Sequence, residues 1–296
     1  MARAVLRSKR GDGPAAALFL APAVIGFAVF YLYPGAKGIW YSLTDWNLLS
    51  EPEYVGVANY QEVFADAQFW NSLRVTALFV AYTLISQLIL ALVLAAVMHR
   101  LTRSVMARAM LVVPWLVPNV TIGLLWLFLL DANVGFVNTA LDAMGLPTYG
   151  FLTSPGLALP SIAAVTTWAG TGYVALLLYA GMVQIPQWIY DSAGLDGAGE
   201  VRMFLRITLP LLRPVLALVL VVSVIGSFQV FDVVAVTTAG RPLNLTKVIY
   251  YYIYSEAFGH FRMGYASAMA LTLVVPLAAF TYAQMRLLRA SRSDLA

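Results

Sequence analysis

Cysteine is absent from this 296-residue chain, and charge is scarce: Asp, Glu, Lys and Arg together make up 11%. The first absence excludes disulfides, iron–sulfur clusters and thiolate zinc sites. Only two histidines occur, His99 and His260, far apart in sequence, so a histidine-rich metal site has no support either. The shortage of charge says more, because soluble domains average about a quarter charged residues. Here 61% of residues are hydrophobic, more apolar side chain than one soluble core of this length can hide. A membrane protein, with lipid as solvent for the surplus, is the economical reading.

Catalytic and nucleotide-binding signatures are missing as well. There is no Gly-x-x-x-x-Gly-Lys-Ser/Thr loop and no Gly-x-Gly-x-x-Gly, the usual cradles for ATP and dinucleotides. Neither His-Glu-x-x-His nor Gly-x-Ser-x-Gly occurs. Asp191 and Asp196 are a candidate acid–base pair, but they lie in a polar loop with no histidine near them. The chain is therefore expected to carry no catalytic, cofactor-binding or metal-ligating residues. Basic residues interleaved with aromatics occur only as membrane anchors, so no nucleic-acid partner is expected.

What is present is a set of long apolar runs, approximately 14–36, 76–98, 109–130, 159–183, 214–231 and 263–285. Each is long enough to cross a bilayer, and none shows strand alternation. Only helices satisfy their own backbone in lipid without closing a barrel, so the expected fold is an all-α bundle of six transmembrane helices. The N-terminus, with Arg3, Arg7, Lys9 and Arg10 before an apolar run and Ala21-Pro22-Ala23 within it, resembles a signal peptide. The run continues to Tyr33, however, which favours an uncleaved first span.

Of the eighteen Lys and Arg residues, thirteen fall on one set of flanks. These are the N-terminal four, Arg100, Arg103 and Arg108, then Arg202, Arg206 and Arg213, and finally Arg286, Arg289 and Arg292. Only Lys37, Arg74, Arg241, Lys247 and Arg262 lie on the other. The positive-inside rule then places both termini in the cytoplasm. The outward connections differ in character. The first, 41–71, is acidic and aromatic, with room for a short helix near 60–64. The third, 131–157, holds Gly135, Gly145, Pro147, Pro155 and Gly156 and should be largely irregular. The fifth, 237–262, carries Tyr250, Tyr251, Tyr252, Tyr254 and Phe258, which read first as an interfacial aromatic belt.

Breakers and polar groups punctuate the spans. Pro114, Pro118, Asn119 and Thr121 interrupt the third, while Thr166, Thr167, Trp168, Gly170, Thr171 and Gly172 make the fourth polar and pliable. In the fifth, Ser223, Ser227 and Gln229 can share a broad face, and Asp232 ends the run. Such groups either hydrogen-bond between helices or face a water-filled path.

The charged stretch 186–210 reads as two short helices hinged on a small-residue turn. Pro186 suits a first helical turn, and Ile189, Ala193 and Asp196 recur at helical spacing. Gly194, Gly197 and Gly199 permit a bend. Val201, Phe204, Leu205 and Thr208 are expected to share a face, with Pro210 breaking the helix before the next span. The bland alternative is an amphipathic loop lying on the membrane.

This stretch resembles the EAA loop of permease subunits in binding-protein-dependent ABC importers: Glu-Ala-Ala, three residues, Gly, nine residues, then an aliphatic residue and Leu-Pro. Asp191-Ser192-Ala193 stands for Glu-Ala-Ala, Asp196-Gly197-Ala198 for the Asp-Gly-Ala core, and Phe204 with Ile207 to Pro210 completes it. Elsewhere Phe19-Leu-Ala-Pro22, Phe30-Tyr-Leu-Tyr-Pro34, Ser42-Leu-Thr-Asp45-Trp46, Gly56-Val-Ala-Asn59-Tyr60, Gly135-Phe-Val-Asn138, Tyr254-Ser-Glu-Ala-Phe258 and Gly264-Tyr-Ala-Ser-Ala268 are similar to carbohydrate-type permeases. They look closest to the first permease of sugar and glycerol-phosphate importers. Ala239-Gly240-Arg241-Pro242 departs from the Gly-Gly-Pro often found there.

The resemblance implies a type I importer permease fold. It comprises a membrane domain over 14–290, cytoplasmic tails at 1–13 and 291–296, and a coupling loop over 186–210. It implies a bacterial or archaeal plasma (inner) membrane. The implied partners are a second homologous permease, two ATPase subunits that bind the ATP and Mg, and an extracytoplasmic solute-binding protein. Asp191, Ser192, Ala193, Leu195, Asp196, Gly197, Ala198, Phe204, Leu209 and Pro210 are the implied ATPase-coupling residues. Asn119, Thr167, Trp168, Tyr173, Gln229 and Asp232 are candidate contacts for a hydroxyl-rich solute such as a sugar, which needs polar partners and an aromatic platform. An ion-coupled secondary transporter is the alternative. It calls for ionisable residues deep in the spans and internal repeats, neither of which is evident. A membrane-embedded transferase lacks its carboxylate, histidine or metal cluster.

Overall fold

In a computed structural model the chain is described over residues 12–101 and 104–287. Arg3, Arg7, Lys9, Arg10, Arg103, Arg289 and Arg292, and the tails holding most of them, lie outside the described residues. Helix α1 (Asp12–Phe27) passes through a π turn (Ala28–Leu32) into α2 (Tyr33–Tyr41). A two-residue ladder, β1 (Thr44–Asp45) against β2 (Glu53–Tyr54), leads to α3 (Ala58–Ala65). Next come α4 (Ala67–Leu101), α5 (Val105–Leu116), α6 (Asn119–Leu129), α7 (Phe136–Ala143) and α8 (Ala158–Val183). The 186–210 region holds α9 (Gln187–Leu195), α10 (Glu200–Met203), a π turn (Phe204–Thr208) and α11 (Leu209–Leu211). The chain then forms α12 (Arg213–Phe228), α13 (Asp232–Thr237), α14 (Ile249–Tyr254), a π turn (Ser255–Gly259) and α15 (Met263–Leu287).

Among the described residues, five helical stretches are long and apolar enough to cross a membrane, or six if the bent pair α5 and α6 counts as one span. That pair turns through 90°. Val117, the residue before Pro118, is held extended (ψ 134°), as the proline ring requires, and the helix cannot continue. The expected span over 109–130 is thus two half-helices. The fifth span also runs further than its apolar stretch. After a break at Gln229–Phe231, α13 extends the membrane-length segment to Thr237.

Proline has an unexpected effect at 210. Instead of ending the helix, it follows a π turn and sits in the first turn of α11; Pro34 stands in the same place after the π turn at Ala28–Leu32. A proline inside an α-helix loses one N–H and crowds the carbonyl four residues back, and a wider turn just before it eases both problems. Helix therefore continues, with Leu212 N–H donating to Thr208 O at 2.9 Å and Leu216 N–H to Leu212 O at 2.8 Å.

The described chain forms two compact units. The first holds the described residues up to Ala65 together with Ser255–Leu273. Its knitting uses the residues of the outer family-like motifs. Asn59 Nδ2 donates to Ser42 O and Thr44 O, each at 2.9 Å, and Tyr60 Oη lies 2.8 Å from Ser42 Oγ. A Cβ on Gly264 would fall 1.9 Å from Thr44 O, so only glycine permits that crossing. Arg262 grips Glu62 through two 2.6 Å contacts, and Glu256, buried, also pairs with His260 at 2.9 Å.

The second unit, Asp66–Tyr254 with the described residues from Val274 onward, is built on α4 against α8. Phe79, Ile162, Leu178 and Met182 are fully buried there, and Ala91, Ala95 and Ala175 let the two backbones approach. The third connection is less irregular than its glycines and prolines suggest, because α7 forms within it. Asn138, buried, donates to Asp131 O (3.1 Å) and Tyr149 O (2.8 Å) and accepts from Tyr149 N–H (3.0 Å), fastening α7 to the loop.

Candidate functional site

Two features of the second unit are candidates: a cavity beside the broken helices, and the 186–210 loop. The cavity, of about 520 Å³, is lined from α4, the α5–α6 break, α8 and α12. Irregular backbone at membrane depth is tolerated where it lines a cavity, and Leu116, Val117, Pro118 and Asn119 do so here. The wall is neutral throughout. Its polar members are Thr83, Gln87, Asn119, Thr166, Thr167, Tyr173, Ser223 and Ser227. Trp115 and Tyr173 stack at 4.3 Å and 8°, adding a flat aromatic surface.

Several hydroxyls already have protein partners. Thr83 donates to Ser227 at 3.2 Å, Thr167 lies 2.8 Å from Ser86, and Thr166 donates to Ile162 O at 2.9 Å. The structural reading of these groups, hydrogen bonding between helices, thus holds for part of the set. Among the described residues, Gln87, Tyr173 and Ser223 make no side-chain hydrogen bond, which leaves them for a solute or water. Gln87 reaches from α4 over Gly170 of α8: a Cβ on Gly170 would lie 2.3 Å from its Nε2.

Of the six path candidates, the wall includes Asn119, Thr167 and Tyr173. Asp232 is next to the wall residue Val233, and its Oδ2 accepts from Asn119 Nδ2 at 3.4 Å. Trp168 faces a separate apolar groove bounded by Leu90, Met110 and Pro160, and meets Trp126 edge-on. Gln229 is an exposed residue capping α12 and is not in the wall. Sequence reasoning missed Gln87, Thr83 and Trp115. The first two lie in an otherwise apolar run and are four residues apart, a spacing that marks one helical face and was available as a signal. Asp232 ends its apolar run, and helix resumes at it as α13, five residues short of the end of the membrane-length segment Arg213–Thr237.

The 186–210 loop is organised by Gly197. It has φ +76° and closes α9 with a Schellman arrangement: Ala198 N–H donates to Ala193 O at 2.9 Å and Gly197 N–H to Gly194 O at 3.0 Å. Ala193 and Ala198, part-buried, face each other across this turn, while Asp191, Ser192, Leu195, Asp196 and Gly197 are exposed. Tyr190 Oη lies 2.9 Å from Thr208 Oγ1, and Arg100 of α4 pairs with Glu200. The expected common face of Val201, Phe204, Leu205 and Thr208 splits in two. Phe204 and buried Thr208 turn inward, whereas Val201 (74% exposed) and Leu205 (55%) turn out with Trp188 (67%) and Leu195 (92%). The π turn adds a residue's offset, so the i, i+3 relation no longer keeps those pairs together. Leu209 and Pro210, part-buried, begin the helix that continues toward α12.

Broken membrane-length helices beside a neutral polar cavity, with an exposed loop of short helices joined to one of them, fit a transport permease. Residues 87–293 match the model of the binding-protein-dependent transport system inner membrane component, and the chain belongs to that family. It is 31% identical to the probable ABC transporter permease protein YurN of Bacillus subtilis, over 94% of this chain and 97% of that one. The sulfoquinovosyl glycerol transport system permease protein SmoG of Agrobacterium fabrum is also 31% identical, over 94% of this chain and 92% of its own. The fold is that of a bacterial ABC transporter chain involved in import of the acidic polysaccharide alginate, at a TM-score of 0.80 and 24% identity, covering 95% of this chain and 96% of the other. The chain is thus an all-α ABC importer permease of the inner-membrane type.

Proposed function

We propose that this permease carries a sugar or related polyol-type solute from an extracytoplasmic binding protein into the cytoplasm. In this reading ATP and Mg are bound by separate ATPase subunits, a second homologous permease completes the path, and both termini are cytoplasmic. The observation that carries the proposal is the pairing of a neutral, hydroxyl- and amide-lined cavity with a loop whose apolar side chains point away from the chain's own core. Hydroxyl-rich solutes need neutral hydrogen-bond partners and stack on aromatic faces, and Gln87, Ser223, Asn119 and the Trp115–Tyr173 pair supply both. The cargo named for one relative, a sulfoquinovosyl glycerol, is a carbohydrate compound as well, so the likeness supports the carbohydrate class and not a particular charge.

Coupling follows from the loop. Leu195, Trp188, Val201 and Leu205 form an apolar surface of the kind that marks a protein contact, with Asp191 and Asp196 beside it for basic partners. A push on that surface reaches the spans by two routes: α11, joined to α12 through the single turn residue Leu212 with hydrogen bonds on both sides of it, and the Arg100–Glu200 pair into α4. Rigid-body transmission needs a short, hydrogen-bonded connection of this kind.

Substituting Gly197→Asp tests the coupling. A side chain at φ +76° strains the turn, and a third acid burdens the contact surface. Solute-stimulated ATP hydrolysis and uptake by the assembled importer should both collapse while the complex still assembles. Unchanged uptake would contradict the assignment.

A further inference from the structure

The cavity also carries information about the charge of what passes through it. Building on the proposed path, we infer that Asp232 makes this chain's share of that path selective for uncharged solutes over anions. None of the residues lining the cavity is a cation. Asp232, within the membrane-length segment Arg213–Thr237, is a carboxylate bonded directly to the wall residue Asn119. An ionisable side chain inside a span is costly to keep there, so its presence is a functional signal.

A competing charge must be weighed. Asn119 and Asp232 each start a helix, and a helix N-terminus carries roughly +0.5 of an elementary charge, which favours anions. The α6 terminus is the only one of the two on a helix long enough for that charge to matter, and Asp232 sets a full negative charge against it through the Asn119 contact. The net field at this side of the cavity is therefore negative. An anion finds no arginine or lysine on the wall to replace its hydration and meets a carboxylate at the rim. An uncharged polyhydroxylated solute loses nothing to that field and keeps the hydrogen-bonding groups of Gln87, Tyr173 and Ser223.

The chain lacks cysteine, so a single substitution supplies its one thiol, and the unsubstituted importer gives the background from the other subunits. Ser223→Cys in the assembled importer, held in lipid nanodiscs, is treated with methanethiosulfonates of similar size carrying a positive, a negative or no charge. Each rate is divided by the same reagent's rate with a free small thiol. Val222→Cys, also on the wall, is the second reporter if the first variant assembles poorly. Nine residues of helix put Asp232 on the order of 13 Å from position 223, and across that distance in a partly wet cavity its charge should make the cationic reagent about tenfold faster than the anionic one. Asp232→Asn should bring that ratio close to one and leave the uncharged rate unchanged, while Asp232→Glu keeps the bias. A ratio near one in the parent, or a bias that survives Asp232→Asn, overturns the inference while leaving the path itself intact. Failure of the uncharged reagent to react at either position overturns both.

Discussion

Gly172 makes the sharpest test of how closely α5 crosses α8. A Cβ built on it lies 1.6 Å from Leu111 O and 3.3 Å from Val112 N, so the obstacle is main chain that cannot rotate away. Real Cβ contacts do not fall below 3.0 Å, so Gly172→Ala must separate the two helices by roughly 1.4 Å or more. Overpacking a close-packed interior costs about 1–3 kcal/mol, and backbone against backbone belongs at the upper end. Alanine returns up to ~1 kcal/mol of helix propensity, leaving a net loss of about 2 kcal/mol. For a chain of this size that is roughly 4–8 °C in the unfolding midpoint. Gly170→Ala is the control two residues away: its Cβ meets only the tip of Gln87, which can swing aside, so the midpoint should hold. Tryptophan fluorescence during heating of the purified importer reads both variants. A Gly172→Ala midpoint equal to the parent's, or a Gly170→Ala loss as large, would refute the close crossing.

Two further outcomes follow from the third connection. Asn138→Ala strands the Tyr149 N–H and the carbonyls of Asp131 and Tyr149, costing about 2–3 kcal/mol locally; amide exchange across 131–157 should accelerate while the α4–α8 core stays protected. The Asp131 carboxyl is held below its ordinary value by hydrogen bonds from Val134 N–H and then Asn133 N–H. A depressed carboxyl adds stability that is present above the unfolded value near 4 and is lost as pH falls through the folded one. Exchange in this loop should thus be flat from pH 5 to 8, after correction for intrinsic chemistry, and quicken below 4, and Asp131→Asn should abolish the acid step.

The spans were legible in sequence because lipid imposes a simple rule, about twenty apolar residues per crossing, and the chain obeys it. The short helix near Tyr60 was legible from the length of its connection, and the bend near Gly197 from the glycines that weaken a helix there. The misses have a common cause, since each depends on neighbours. Pro210 looks like a stop until the π turn before it absorbs the lost hydrogen bond, and the π turn in turn splits the Val201–Thr208 face. Asp232 looks terminal because its residue type ends an apolar run, yet α13 packs so tightly on α6 that a Cβ on Gly123 would lie 2.4 Å from Val236. Gln87 reads as an isolated polar residue in α4, and only the bend at Val117–Pro118 opens the space it faces.

If this permease works through its exposed 186–210 loop on a separate ATPase, native mass measurement of the complex extracted in mild detergent from its own cells should find one copy of this chain, one related permease and two ATPase subunits. A Leu195→Asp, Val201→Asp double variant, altering only exposed residues, should lose both ATPases while the permease pair survives. A chain that purifies with no ATPase and still moves solute down an ion gradient would contradict it.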